Sequence, residues 1–229
     1  MKLISSILII AGLFLFGFLT IDTALQTENN EINADRTLLL QKAQRLIHRA
    51  KSIMRIDSVR AHSRQKVLRI VNRFNSHMPF QQKQEIADKI YEMTVRYQNL
   101  GVDLICATIT HETAQTWDPR TISNAGAMGL MQIMPSTGKY LAKREGIKWT
   151  SAEDILFDPV YNIRLGSRYM SGLIKAYELE GGLAAYNGGL QRAEKWLASN
   201  KSKGVLFEET RDYVPLVLKW YDRFKDITM

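Results

Sequence analysis

Nineteen consecutive residues near the N-terminus, Leu3 to Ile21, carry no charged side chain. At helical rise such a run reaches about 28 Å, close to the thickness of a bilayer's hydrocarbon core. It predicts a membrane helix over residues 1–22. The run is longer than the ~7–15 apolar residues of a cleaved signal peptide. Asp22-Thr23-Ala24 also sets an acid where a cleavage site wants a small residue, so an uncleaved anchor is the expectation. No cysteine follows the run, which argues against a lipoprotein anchor. Lys2 and the amino terminus flank one side, and Asp22, Glu28, Glu31 and Asp35 come first on the other. That asymmetry keeps the N-terminus in the cytoplasm and exports the remainder.

The net charge of +8 is unevenly placed. Between Ala34 and Asn75 eleven Lys and Arg residues face only Asp35 and Asp57, so this segment carries the whole excess. Leu39, Ala43, Leu46, Ile47, Ala50, Ile53 and Met54 recur there at helical spacing. The pattern predicts a basic amphipathic stalk over residues 23–79. Its basic face is either simply solvated or in contact with anionic lipid, anionic wall polymer or a partner protein. Nucleic acid is not expected, because an exported chain would rarely meet it and the segment lacks interleaved aromatics.

From residue 80 the composition turns balanced and helical signals dominate. Ile86, Ile90, Met93 and Tyr97 form one stripe; Ile163, Gly166, Tyr169, Met170, Leu173 and Ile174 form another, with Gly181-Gly182 as its expected stop. Alternation of strand period is nearly absent. The expectation is a mostly α fold: one compact domain over residues 80–229, preceded by the stalk and the membrane helix. The lone cysteine, Cys106, lies in an apolar run and reads as core, which removes disulfides and cysteine-based metal clusters.

Chemistry concentrates after that run. Val102, Leu104, Ile105, Ala107 and Ile109 surround their helix on most sides, and Glu112 falls near its C-terminal end. Burial and the negative end of the helix dipole both favour the neutral carboxyl and raise its pKa. A general acid for a glycosidic oxygen needs that property. Seen alone, Glu112 reads more simply as a surface residue, solvated or paired with Arg120. Spacing excludes other chemistries. A phosphate loop at Ser136–Lys139 would need glycine at position 133, which is Ile133. No His follows His111, which removes a Ser–His–Asp order, and no HExxH or EF-hand pattern occurs. No metal or cofactor is expected.

The block from Glu112 through Ser123–Pro135 ("SNAGAMGLMQIMP") resembles the catalytic core of the soluble lytic transglycosylases, lysozyme-like enzymes acting on peptidoglycan. Three further matches follow in the family's order: "NIRLGSRY" (162–169), "AAYNGG" (184–189) and "ETRDYVPLVLKWY" (209–221). The resemblance spans roughly residues 100–221. It implies a lysozyme-like α-helical catalytic domain with Glu112 as the catalytic acid. Thr113, Ser123, Met131, Gln132, Tyr186, Asn187 and Tyr213 would be its substrate-binding residues. Thr113 stands where the family usually has Ser, and no role attaches to His111.

Glycosidases usually flank the bond with two carboxylates, and the nearest second acid in sequence, Asp118 before Pro119, reads as a turn residue. The resemblance implies a one-acid route instead, in which the sugar's own C6 hydroxyl closes a 1,6-anhydro ring without water. Gly126 and Gly129 would let backbone approach the glycan and supply positive φ. Trp117, Trp149, Trp196 and Trp220 read as core. The implied partners are peptidoglycan strands, the inner membrane through the N-terminal helix, and envelope or secretion-apparatus proteins, with the catalytic domain facing the periplasm. Two alternatives stay open: a hydrolase on the same fold, and a wall-binding or envelope-assembly protein with a silent cleft.

Overall fold

The computed structural model describes residues 2–227, with side-chain surroundings from Leu19 onward except at a few positions before Asp35. The chain forms two compact units, residues 1–58 and 59–229. The first is described as one run of helix, the N-terminal part of α1 (Lys2–Phe74). Leu39, Leu46, Ile47, Ile53 and Met54 are all exposed along it. The apolar stripe is therefore present, and nothing among the described residues of this unit covers it. Most of the anchor expected over residues 1–22 falls on positions whose side chains lie outside the described residues. Among those described, no helix is long and apolar enough to cross a membrane.

The second unit begins inside the segment read as stalk. Residues 59–74 close α1, and Val67, Ile70 and Val71 are fully buried there. The same stretch carries Arg60, Lys66, Arg69 and Arg73, so its charge hides an apolar stripe of the same period. Lys66 pairs with Asp103 at 2.7 Å. Lys83 donates to Asn72 Oδ1 and to the Ser76 carbonyl. A chain starting at Val59 should therefore be markedly more stable than one starting at residue 80. At ~1.5–3 kcal/mol for each of the three buried aliphatic side chains, the difference is about 4.5–9 kcal/mol. Urea unfolding of the two fragments measures it, and equal midpoints would show that residues 59–79 are dispensable.

After α1 come α2 (Phe80–Arg96), α3 (Val102–Glu112), α4 (Pro135–Arg144), α5 (Ala152–Leu156), α6 (Pro159–Gly188), α7 (Leu190–Ala198) and α8 (Glu208–Lys225). The stripe of α2 is buried at Ile86, Ile90 and Met93, and that of α6 at Ile163, Gly166, Met170 and Leu173. Helix α3 is enclosed on every side, since each residue from Leu104 to Thr110 is buried. A helix apolar all round belongs in the middle of a core. Its two buried hydroxyls are satisfied within the helix, Thr108 donating to the Leu104 carbonyl and Thr110 to that of Cys106. Cys106 itself is fully buried, and burial pushes its thiol far above the usual range.

Helix α6 does not stop at Gly181-Gly182 as its sequence suggests. The break comes earlier, at Glu178 (φ 61°), and helix resumes to Gly188. The glycine pair serves close packing: a Cβ on Gly182 would lie 2.7 Å from the Ile174 backbone. Across α2, α4 and α6 the unit is pinned by Glu145, whose carboxylate is fully buried between three guanidinia. Arg96 lies at 2.8 Å, Arg164 at 2.7 Å, and Arg168 also pairs with it. Burial opposes the charge, but the three hydrogen bonds prevail and hold this carboxyl below its usual range. β-structure among the described residues is limited to isolated bridges, Ile122 with Met128 and Met128 with Ile133, which fold the long α3–α4 connection.

Candidate active site

Glu112 is the last residue of α3, set where the buried helix meets the surface. It is partly exposed, and the phenol of Tyr213, on α8, donates to its Oε1 at 2.7 Å. Burial pushes the Glu112 carboxyl up to about 8; the Tyr213 hydrogen bond pulls it down and the Glu209 carboxylate pushes it further up. Near neutral pH this acid holds its proton while lying close enough to its pKa to exchange it. Arg120 is not its partner, for that guanidinium lies over the Phe157 ring. Asp118 makes the turn expected of it, its Oδ1 accepting from the Arg120 backbone N–H.

One wall of the site is the α3–α4 connection, and its shape depends on two residues. Gly129 has φ 81°, and a Cβ there would sit 2.1 Å from the Leu156 carbonyl oxygen and 2.2 Å from Asn162 Nδ2. Asn162, fully buried on α6, accepts from the Met131 N–H at 2.7 Å and donates to the carbonyls of Met128 and Leu156. The close approach that Gly129 permits is thus to the protein's own α5–α6 corner. Gly126 has φ 86° with open space around it. Ser123 closes the turn around Gly126, its Oγ accepting from the Ala127 N–H.

The remaining residues separate into three that bond to the α3–α4 connection or to Glu209 and two that are turned inward. Tyr186, near the end of α6, donates to the Met131 carbonyl at 2.7 Å, and its ring lies 5.5 Å from that of Tyr169. Burial and the nearby Glu112 charge both hold the Tyr186 phenol in its protonated form. Gln132 sits at φ 45°, its Nε2 donating to the Gly129 and Thr121 carbonyls. Its Oε1 is buried with no partner in the protein, an acceptor held ready for an N–H. Asn187 donates from Nδ2 to Glu209 Oε1 at 3.4 Å.

Met131 and Thr113 point the other way. Met131 is fully buried, and its sulfur packs where a Cβ on Gly166 would fall. Thr113 is buried, its hydroxyl donating to the Ile109 carbonyl and accepting from the Trp117 N–H. It therefore holds the turn that follows Glu112, and any hydroxyl residue could make both bonds. Trp117, fully buried, closes the same turn by donating from Nε1 to Thr110 Oγ1.

Three contributors carry no sequence signal of their own. Asn162 opens a recognisable motif, yet nothing in the sequence reveals its three backbone bonds. Glu209 is distant in sequence but electrostatically close to Glu112. His111 packs edge-on against Tyr213, ring centroids 4.9 Å apart, and burial lowers its pKa and favours the neutral ring.

With this geometry in place, the similarities to known proteins become informative. The family model of the transglycosylase SLT domain matches residues 92–205. A putative soluble lytic murein transglycosylase of Haemophilus influenzae is 36% identical over 140 residues, 57% of this chain and 23% of that protein. The soluble lytic murein transglycosylase of Escherichia coli is 35% identical over 118 residues, covering 47% of this chain and 18% of that one. The membrane-bound lytic murein transglycosylase D of Escherichia coli is 32% identical over 142 residues, 58% and 30% of the respective chains. The chain thus spans between about a fifth and a third of the length of these relatives. Among solved structures, an inactive mutant of the lytic transglycosylase Slt from Pseudomonas aeruginosa is similar, at 29% identity and TM-score 0.51 over 59% of this chain and 23% of that one. So is a 70-kDa soluble lytic transglycosylase bound to bulgecin A, at 29% identity and TM-score 0.52 over 64% and 26%.

Proposed function

We propose, from the membership of residues 92–205 in the transglycosylase SLT family, that this chain is a peptidoglycan lytic transglycosylase working through the single acid Glu112. The observation that carries the reading is a carboxyl poised near neutral pH, held by Tyr213 at the end of a buried helix. Glu112 would donate its proton to the oxygen leaving C1 of N-acetylmuramic acid as the C1–O bond breaks. The sugar's 2-acetamido group would stabilise the positive centre. The C6 hydroxyl of the same sugar would then bond to C1, returning its proton to the Glu112 carboxylate and closing the 1,6-anhydro ring. The acid is regenerated and no water is consumed.

The residues around it suit a sugar. Tyr186 and Tyr169 offer aromatic faces, and the free Gln132 Oε1 can accept an acetamido N–H. We assign the N-terminal run of residues 1–22 to a single-pass anchor in the inner membrane, with the catalytic unit in the periplasm. The support for this is the uncharged Leu3–Ile21 stretch and the charge asymmetry around it. The basic residues 36–55 would lie toward anionic lipid or wall polymer.

Mass spectrometry of the products released from purified peptidoglycan by the full chain in detergent tests the reaction. Products one water lighter than hydrolysis products are expected. A second reading, hydrolysis, is favoured by one observation, the Glu209 carboxylate near Glu112, which could serve as base for a water. Products of full hydrolytic mass, lost in Glu209→Gln, would establish it.

Tyr213→Phe should move the alkaline limb of the pH–rate profile to higher pH. The Tyr213 hydrogen bond favours the charged carboxylate, and without it the Glu112 pKa rises further. A limb that stays in place would mean the phenol does not touch the acid in solution.

A further inference from the structure

Residues 22–58 of α1 are helical, and every described side chain along them is exposed. Helices in proteins draw most of their stability from packing an apolar face, and a stretch this long without cover calls for one. The spacing of its aliphatic residues says which kind. Leu25, Ile32, Leu39, Leu46 and Ile53 recur at intervals of seven. With these at d of a heptad, Ala43 and Ala50 fall at a, and Leu40, Ile47 and Met54 at e beside the seam. Those of the d and e residues whose surroundings are described are between 53% and 70% exposed.

A straight helix drifts ~20° per heptad against a strict seven-residue repeat, so from Leu25 to Ile53 the column swings about 80° around the axis. A flat lipid surface could not follow it from end to end. A second helix can, by supercoiling. The charges agree. Arg45, Lys51 and Arg55 fall at c, b and f, on the outside of such a pair. Lys42 and Arg49 fall at g. In a parallel pair their alkyl stems would lie over Ile47 and Met54 of the second copy while the charges stay in water. Asn29 and Arg36 at successive a positions weaken the seam but set its register, and Asp57 at a ends it.

The area fits a dimer. Burying one exposed aliphatic side chain removes roughly 60–120 Å² from water. The seven described d and e residues of each copy are already partly covered in the lone helix, so two copies would bury roughly 500–1,000 Å² of apolar surface. Homodimer interfaces are about 65% apolar, so the whole contact would reach roughly 800–1,500 Å², around the ~1,000 Å² that a specific interface needs. Two chains anchored in one bilayer would also meet side by side, with N-termini together, at raised effective concentration. We infer that residues 25–53 form the seam of a parallel, in-register coiled coil between two copies of this chain. This rests on the anchor assigned above and not on the reaction chemistry.

The test is disulfide formation between single cysteines in the full chain, reconstituted in vesicles of phosphatidylcholine, which present no net anionic charge to the bases. Cys106 is fully buried and stays silent. Leu46→Cys sets a thiol in the seam, and His48→Cys, at f, sets one on the outer face. With a copper–phenanthroline catalyst and oxygen, Leu46→Cys should close to a covalent dimer about tenfold faster, because only seam positions approach the ~4 Å Cβ separation of a disulfide. Adding Leu39→Glu and Ile53→Glu to Leu46→Cys should remove that advantage. Equal rates at positions 46 and 48 overturn the inference, as does an advantage that survives both glutamates.

An environment-sensitive dye on Leu46→Cys separates a second copy from lipid. A signal of apolar surroundings that fades as the protein is diluted in lipid supports the dimer. A signal independent of dilution would place the stripe on the membrane and overturn it. If the chain does not stay with the vesicles, the anchor reading falls. The same two cysteine variants compared in free solution at high protein concentration then decide the dimer, with the faster seam reaction still expected. No readout here involves turnover, so the transglycosylase reading stands or falls separately.

Discussion

Glu112→Gln should stop product release from peptidoglycan while making the protein more stable at alkaline pH. Loss of a general acid costs about 10²–10⁴-fold, and here the same group serves as acid and then base, so a fall toward the upper end is expected. The amide keeps the shape and still accepts the Tyr213 hydrogen bond. The stability effect follows from the direction of the shift. The folded-state pKa, about 8, lies above the ordinary value of 4.5. Folding loses nothing to this group while it is protonated in both states, below the ordinary value. Stability then falls as pH rises from there through about 8, because the folded protein resists the charge that the unfolded chain accepts. Gln does not titrate. Melting curves of the two proteins should coincide near pH 4 and separate as pH rises, the variant gaining about 2–3 kcal/mol by pH 9 after allowing for the acid's partial exposure. Parallel curves at every pH would show that Glu112 has an ordinary pKa, and would remove the physical basis for its role.

Gly129→Ala is expected to do the most damage of any single methyl group added to the fold. Left-handed backbone costs a residue with a Cβ about 1–2 kcal/mol. The new carbon would also meet a main-chain carbonyl at 2.1 Å and the Asn162 amide at 2.2 Å, neither of which can yield cheaply. Displacing Asn162 endangers three hydrogen bonds to buried backbone, each worth about 0.5–1.5 kcal/mol. A total near 4 kcal/mol follows, together with loss of the Gln132 position and hence of activity. Gly126→Ala supplies the control, because it has the same sign of φ but open space, so about 1 kcal/mol is expected. Denaturant unfolding of both variants decides: equal losses would mean backbone strain alone matters and the α5–α6 corner is soft.

How much of this was legible in sequence depended on whether a feature is local. The stripe of α2, the first half of α6 and the all-round burial of α3 are set by residues three or four apart, and the periodicity shows them directly. The acid at the end of a buried helix was equally visible, together with the reason for its raised pKa. Burial direction beyond one helix was not. The bases of residues 60–73 masked the stripe of Val67, Ile70 and Val71, so the compact unit starts earlier than the change in composition suggests. Met131 and Thr113 are types that suit a cleft, but each is turned inward by a partner far away or by the backbone one turn behind. Glu178 carries the bend of α6, where the sequence draws attention to the following glycines. Glu209 and Asn162 act through contacts that no local pattern encodes.

The burial of Cys106 has a practical consequence. A thiol with no solvent contact and a strongly raised pKa offers almost no thiolate to an alkylating reagent. Since it is the chain's single cysteine, the wild-type background is already silent to maleimide chemistry. A cysteine introduced at an exposed position beside Glu112, such as Gln115, could therefore be labelled alone, with the native core untouched, and a fluorophore there would report whether a glycan strand binds near the acid.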